Sequence, residues 1–214
     1  MLERRVQISE WAEYCPIVGS ALSDDGRWVA VVSPRVDGTA RPLWMRARDL
    51  DGEAAWSPVG PQGGRSCYCP TFSPDSAHLA GFSDHEGVTS AWSADLHAAG
   101  LPARTLLGTP PHPSALKWTG PHLACLGEDP DGWRRVWWWE DLAAPPLPFG
   151  FDDEHAGDFA ISADGTWLAW LAIPGRLDRP GAGITIRVRS QVTGETQTLP
   201  LDMDPVGYLA FAPS

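Results

Sequence analysis

No run of this 214-residue sequence approaches the roughly 20 apolar residues that a membrane-spanning helix requires. The first ten residues, Met1-Leu2-Glu3-Arg4-Arg5-Val6-Gln7-Ile8-Ser9-Glu10, lead into no apolar run of secretory-signal length. Basic residues are scarce, 16 Lys and Arg against 27 Asp and Glu for a net charge of −11. That balance excludes nucleic acid and anionic membrane as principal partners, since both demand a concentrated basic surface. Cysteine is sparse as well: Cys15, Cys67, Cys69 and Cys125 fit reduced, mostly buried thiols, and the expected compartment is the cytoplasm. Cys67 and Cys69, two apart on a strand, are expected to share a face, but no second ligand pair stands at zinc spacing. Neither a metal nor a cofactor is expected. Gly-x-Ser-x-Gly, His-Glu-x-x-His and a phosphate loop are all missing, so these residues offer no catalytic set.

What is abundant is punctuation and ring: 22 Gly, 21 Pro and 12 Trp describe a turn-rich β protein whose large side chains fill space between sheets. A phrase then repeats. It reads Ala21-Leu22-Ser23-Asp24-Asp25-Gly26-Arg27-Trp28-Val29-Ala30, Thr71-Phe72-Ser73-Pro74-Asp75-Ser76-Ala77-His78-Leu79-Ala80 and Ala160-Ile161-Ser162-Ala163-Asp164-Gly165-Thr166-Trp167-Leu168-Ala169. A worn copy runs from Leu116 through Gly120 to Ala124, and Leu209-Ala210-Phe211-Ala212-Pro213 opens another. Ala30, Ala80, Ala124 and Ala169 are separated by 50, 44 and 45 residues. A short apolar strand, a turn in which Ser and Asp bond their own backbone, and a returning apolar strand, at this period, predict one four-stranded sheet per repeat, the blade of a β-propeller.

The expected fold class is therefore all-β: a β-propeller of four-stranded antiparallel blades, four complete and parts of a fifth, in one domain over 1–214. The blades are placed at about 17–60, 66–108, 113–150 and 156–202. Their strands are expected at 17–23, 28–33, 42–48 and 54–59; 67–73, 78–83, 89–95 and 103–107; 114–118, 122–126, 134–140 and 146–149; 156–162, 167–173, 183–190 and 196–201. Returning runs such as Trp167-Leu168-Ala169-Trp170-Leu171 are continuous in apolar residues, as in strands covered on both faces, and Trp167 is expected in the core. Residues 5–10 and 206–212 are read as lone strands of an unfinished blade. Either they meet to close a ring or the chain is the front part of a longer protein; the second is expected, with self-association through open edges as a consequence.

The Phe/Ile/Leu-Ser-x-Asp-Gly turn before Trp/Leu-Leu/Val-Ala resembles the WD40-like repeat of TolB-type propellers, four times over. Tyr14 to Trp44, through Val18-Gly19-Ser20-Ala21-Leu22-Ser23 and the Asp37-Gly38 turn before Leu43-Trp44, also resembles the opening blade of the propeller in prolyl-oligopeptidase-like serine peptidases. With no nucleophile elbow here, that resemblance carries over no catalytic residue.

Three clusters invite a functional reading. Asp152, Asp153, Glu154, His155 and Asp158 form the densest acidic run and are the candidate binding residues, for Ca²⁺ or a cationic ligand; the plainer reading is a solvated loop between blades. Trp137-Trp138-Trp139 suits a sugar or cation platform, or packing between blades. His78 and His122 stand at equivalent repeat positions, which architecture explains better than catalysis. The function expected is a non-catalytic platform for a protein or peptide partner. The alternative is the substrate-gating propeller of a serine peptidase whose hydrolase domain lies outside these residues, and a lectin-like sugar binder is a third reading.

Overall fold

In the computed structural model the described residues are 19–32, 43–47, 56–60, 66–85, 87–97, 104–151, 153–162, 164–175, 183–201 and 209–211. They hold sixteen strands and, among the described residues, no helix. The strands form four antiparallel sheets, each of four strands in chain order. The first contains β1 (Gly19–Leu22), β2 (Trp28–Val32), β3 (Leu43–Ala47) and β4 (Ser57–Val59). The second contains β5 (Ser66–Phe72), β6 (His78–His85), β7 (Val88–Asp95) and β8 (Arg104–Leu107). β9 (Ser114–Thr119), β10 (His122–Glu128), β11 (Arg134–Trp139) and β12 (Leu147–Phe149) form the third. The fourth is β13 (Glu154–Ile161), β14 (Trp167–Pro174), β15 (Thr185–Ser190) and β16 (Thr196–Pro200). Every expected strand of the four blades is present, and the sheets are those of a β-propeller. The lone strand expected over 5–10 lies outside the described residues, and of 206–212 only 209–211 are described, with no strand assigned.

The repeated phrase is a set of local hydrogen bonds. Ser23, Ser73 and Ser162 each donate a backbone N–H to the carbonyl five residues on, at 3.0, 2.9 and 2.9 Å, closing the hairpin. Each serine Oγ accepts the returning N–H, from Trp28, His78 and Trp167 at 2.9, 2.8 and 2.9 Å. The same hydroxyls donate to Asp25, Asp75 and Asp164 at 2.6, 2.5 and 2.5 Å, and each aspartate caps the N–H two residues further. Gly26 and Gly165 take φ of 69° and 73° in the turn. The second copy has Ser76 there at φ 58°, a conformation that costs a non-glycine residue free energy. Its Oγ is used instead, accepting the Asp25 N–H of the preceding turn at 3.3 Å.

After each turn the second strand returns in fixed register, pairing Phe72 with Leu79, Trp118 with Leu123 and Ile161 with Leu168. Leu79-Ala80, Leu123-Ala124 and Leu168-Ala169 are thereby equivalent and buried. Trp167 corrects the core expected from its run: it is 40% exposed, because the covered part of β14 begins at Leu168. Contacts divide the chain into two compact units, Met1–Val88 with Trp92–Thr105 and Thr89–Ala91 with Leu106–Ser214. The first is centred on Val32, Leu43, Phe72, Leu79 and Trp92, the second on Leu126, Val136, Phe159, Leu168 and Trp170.

The first strands of three sheets carry a feature the sequence does not announce. Register shifts between Tyr68 and Thr71 and between Ala156 and Phe159, and the partner strand of β9 shifts between Ala124 and Leu126. Cys69 and Ala115, three residues before the paired Phe72 and Trp118, take φ of 50° and 51°. These are β-bulges, which re-aim side chains. The bulge separates Cys67, buried, from Cys69, exposed, so the expectation that they share a face is not met. Trp138 and Trp139 are buried, with Trp138 stacked on His122 at 4.4 Å and edge-on to Phe149 at 5.6 Å, which makes the tryptophan run packing.

Candidate functional site

The acidic run does not form the solvated loop expected of it. Glu154, His155 and Asp158 lie inside β13 and are buried, Asp153 occupies the exposed turn before the strand, and Asp152 is outside the described residues. A charge held in a strand between apolar neighbours must be paired and hydrogen-bonded, or it loses more in desolvation than the fold returns. Each of the three has such partners.

Glu154 Oε1 accepts the Trp170 indole N–H at 3.0 Å, while Oε2 accepts Arg187 Nη2 at 3.1 Å and Nε at 3.3 Å. Arg187 lies 5.1 Å over the Phe151 ring and donates through Nη1 to Thr198. Side chains from β13, β14, β15 and β16 are thus joined across the whole fourth sheet. The Glu154 carbonyl meets Arg135 Nη1 at 3.5 Å, and Arg135, itself buried, donates through Nε to Asp129 Oδ2 at 2.9 Å. Asp129 Oδ1 accepts the N–H groups of Asp131 and Trp133 at 3.0 and 2.8 Å, which builds the turn at Asp129-Pro130-Asp131-Gly132. Burial alone would raise the Asp129 carboxyl; the Trp133 N–H and Arg135 outweigh it and hold it below the usual carboxylate range.

His155 accepts the Arg134 N–H at Nδ1, 3.0 Å away, and its ring is tilted against Trp133 at 4.7 Å. Burial and then the Arg135 charge keep the imidazole below its ordinary value. Asp158, at the β13 bulge, accepts Lys117 Nζ from β9 at 2.8 Å and the Leu209 N–H at 2.8 Å.

The structure therefore gathers Glu154 and His155 into one network and sets Asp158 in a second, both built of pairs that bind strand to strand. Among the described residues no three His, Cys, Asp or Glu side chains converge as metal ligands. Lys117, Arg135, Trp170 and Arg187 are the members that the sequence reading missed. Their signal is a cation or indole among the apolar residues of a strand, as in Arg134-Arg135-Val136-Trp137 and Thr185-Ile186-Arg187-Val188.

No family model and no curated protein sequence matches the chain. Solved structures do. TolB from Acinetobacter baumannii is 17% identical with a TM-score of 0.61, over 89% of this chain and 45% of that one. The β-propeller domain of the Trilobed protease from Pyrococcus furiosus is 15% identical with a TM-score of 0.60, over 86% of this chain and 57% of that one. Prolyl oligopeptidase B from Galerina marginata bound to a 35mer substrate is 12% identical with a TM-score of 0.61, over 87% of this chain and 27% of that one. At such identities the likeness is one of fold, and the chain spans less than two thirds of each of these proteins.

Proposed function

We propose that this chain is a non-catalytic propeller module that recognises a protein or peptide through its turns and loops. One observation carries the reading: the buried ionic side chains of the second unit, Glu154, Asp158 and Arg135, and the half-buried Asp129 and Arg187 are each engaged with a partner on another strand or turn. Their chemistry is used in holding strands together, which leaves recognition to the exposed connections. The likeness to TolB propellers supports the same reading.

The second reading, a gating propeller that works beside a serine-hydrolase domain, draws support from the equal fold likeness to peptidase propellers, with TM-scores of 0.60 and 0.61. One experiment separates the two. The protein expressed from its whole gene is treated with a fluorophosphonate probe and screened in parallel against a displayed peptide library. The first reading expects no labelled serine and an enriched peptide consensus that binds the purified protein. A labelled serine outside these residues moves the assignment to the gating propeller. A labelled serine within them, lost on its replacement by Ala, overturns both.

A further inference from the structure

The edge of β11 beside β13 carries a backbone donor that its own sheet does not use. β12 pairs with β11 only over Val136, Trp137 and Trp138, so the Arg134 amide stands beyond the end of β12. It donates instead to His155 Nδ1, 3.0 Å away on the first strand of the next sheet, in the same compact unit. A backbone amide can only donate. The Nδ1 that receives it must keep its lone pair, and an imidazolium has none to give.

We propose that His155 is a pH-operated clasp between the β10–β11 hairpin and β13, closed by the neutral imidazole and opened when it takes a proton. Protonation at Nδ1 would set one N–H against another and place a cation beside the buried Arg135. The charged groups acting on the ring come from two places: β11 contributes Arg134 and Arg135, and the end of β10 with its turn contributes Glu128 and Asp129. Glu154, the neighbour on β13, is engaged with Trp170 and Arg187, and Ile173, opposite on β14, is apolar. Glu128 and Asp129 favour the protonated ring, but Asp129 is engaged by Arg135 at 2.9 Å and Glu128 faces His112 at 3.8 Å. Burial, with Arg135 and Arg134, tips the balance to the neutral form.

The sign follows. The folded state binds fewer protons at this site than the unfolded chain, so the clasp contributes fully above about pH 6.5, the ordinary imidazole value, and is lost as pH falls through the lower folded value. A pH-dependent join between two blades would let acidification loosen one part of the module while each sheet keeps its own hydrogen bonds.

The test is amide hydrogen exchange on the ¹⁵N-labelled chain, with urea midpoints alongside, between about pH 7 and about pH 5. The Arg134 protection factor is expected to fall as pH drops from about 6.5 toward the lower folded value, by roughly tenfold per pH unit at most. In His155→Asn, whose Oδ1 takes the place of Nδ1 without titrating, it should stay level. His112→Asn, on the exposed side of Glu128, should behave as the parent. A level wild-type profile overturns the proposal, and so does an unchanged loss in H155N. If H155N does not fold, the wild-type His155 ring titration followed by NMR decides: a midpoint below the ordinary imidazole value sustains the clasp, and one at or above it overturns it.

Discussion

Lys117 Nζ stands 2.8 Å from Asp158 Oδ1 and 2.7 Å from the Phe159 carbonyl, so a single ammonium on β9 holds both groups at the bulge of β13. Asp158 Oδ2 in turn receives the Leu209 N–H at 2.8 Å. The bulge is what aims this carboxylate, joining one first strand to the segment where the next copy of the phrase begins. Asp158→Ala should cost roughly 1–3 kcal/mol by urea unfolding, less than the 3–5 of a fully buried pair because water reaches Lys117. Asp158→Asn, which can still accept from Lys117 and Leu209, should cost less than Ala. Equal losses would mean that the neutral hydrogen bonds Asn retains contribute nothing and that the charge alone carries the effect.

Trp167 and Trp170 lie three residues apart on one strand and have opposite environments, 40% and 2% exposed. Trp170→Ala should lose roughly 3–5 kcal/mol, the usual cost of emptying a large buried aromatic site. Trp170→Phe, which deprives Glu154 of its indole donor, should lose roughly 1–2 kcal/mol. Trp167→Ala should stay below about 1 kcal/mol, as surface replacements do. Urea midpoints of the three variants check the order.

The turns were legible because their chemistry is local. Ser73, Asp75 and His78 lie within six residues, and their types state the hydrogen bonds they make. The charged network was not, because its partners are remote: Arg187 is 33 residues from Glu154 and Lys117 is 41 from Asp158. Read without those cations, a dense acidic run looks like a solvated loop, and burial of Glu154 and Asp158 could not be inferred from their neighbours. The bulges were hidden for another reason. Cys69 and Ala115 have no preference for positive φ, so nothing in their types marks the place.

Acid should weaken the turns in a window separate from that of His155. Asp25 and Asp164 are held below the ordinary carboxylate value first by the hydroxyls of Ser23 and Ser162, and Asp75 by that of Ser73. Depressed carboxyls bind fewer protons folded than unfolded, so their contribution is present above the ordinary value of about 3.9 and is lost as pH falls through the folded value. Ser73→Ala strips the acceptor from the His78 N–H and should cost roughly 1–2 kcal/mol near neutrality. It should also reduce the slope of stability against pH below about 4, since Asp75 then loses its strongest stabiliser. Urea midpoints across pH, for parent and variant, measure both; an unchanged slope would show that the hydroxyl does not depress Asp75.

Gly81 lies flat beneath the wholly buried Trp92 ring. A Cβ there would stand 2.8 Å from Cζ2 and 3.1 Å from Cε2, closer than carbon atoms tolerate. The space that a side chain at position 81 would need is taken by an indole of the same sheet. Since the obstacle is a rigid ring rather than the tip of a flexible chain, Gly81→Ala should cost roughly 1–3 kcal/mol through displaced packing. Trp92→Leu should itself be destabilising, and the two changes together should cost less than the sum of the separate losses, because the smaller side chain vacates the space the new methyl needs. A urea double-mutant cycle reads this directly. Additive losses, or a Gly81→Ala cost below about 0.5 kcal/mol, would mean that the ring does not rest on this strand.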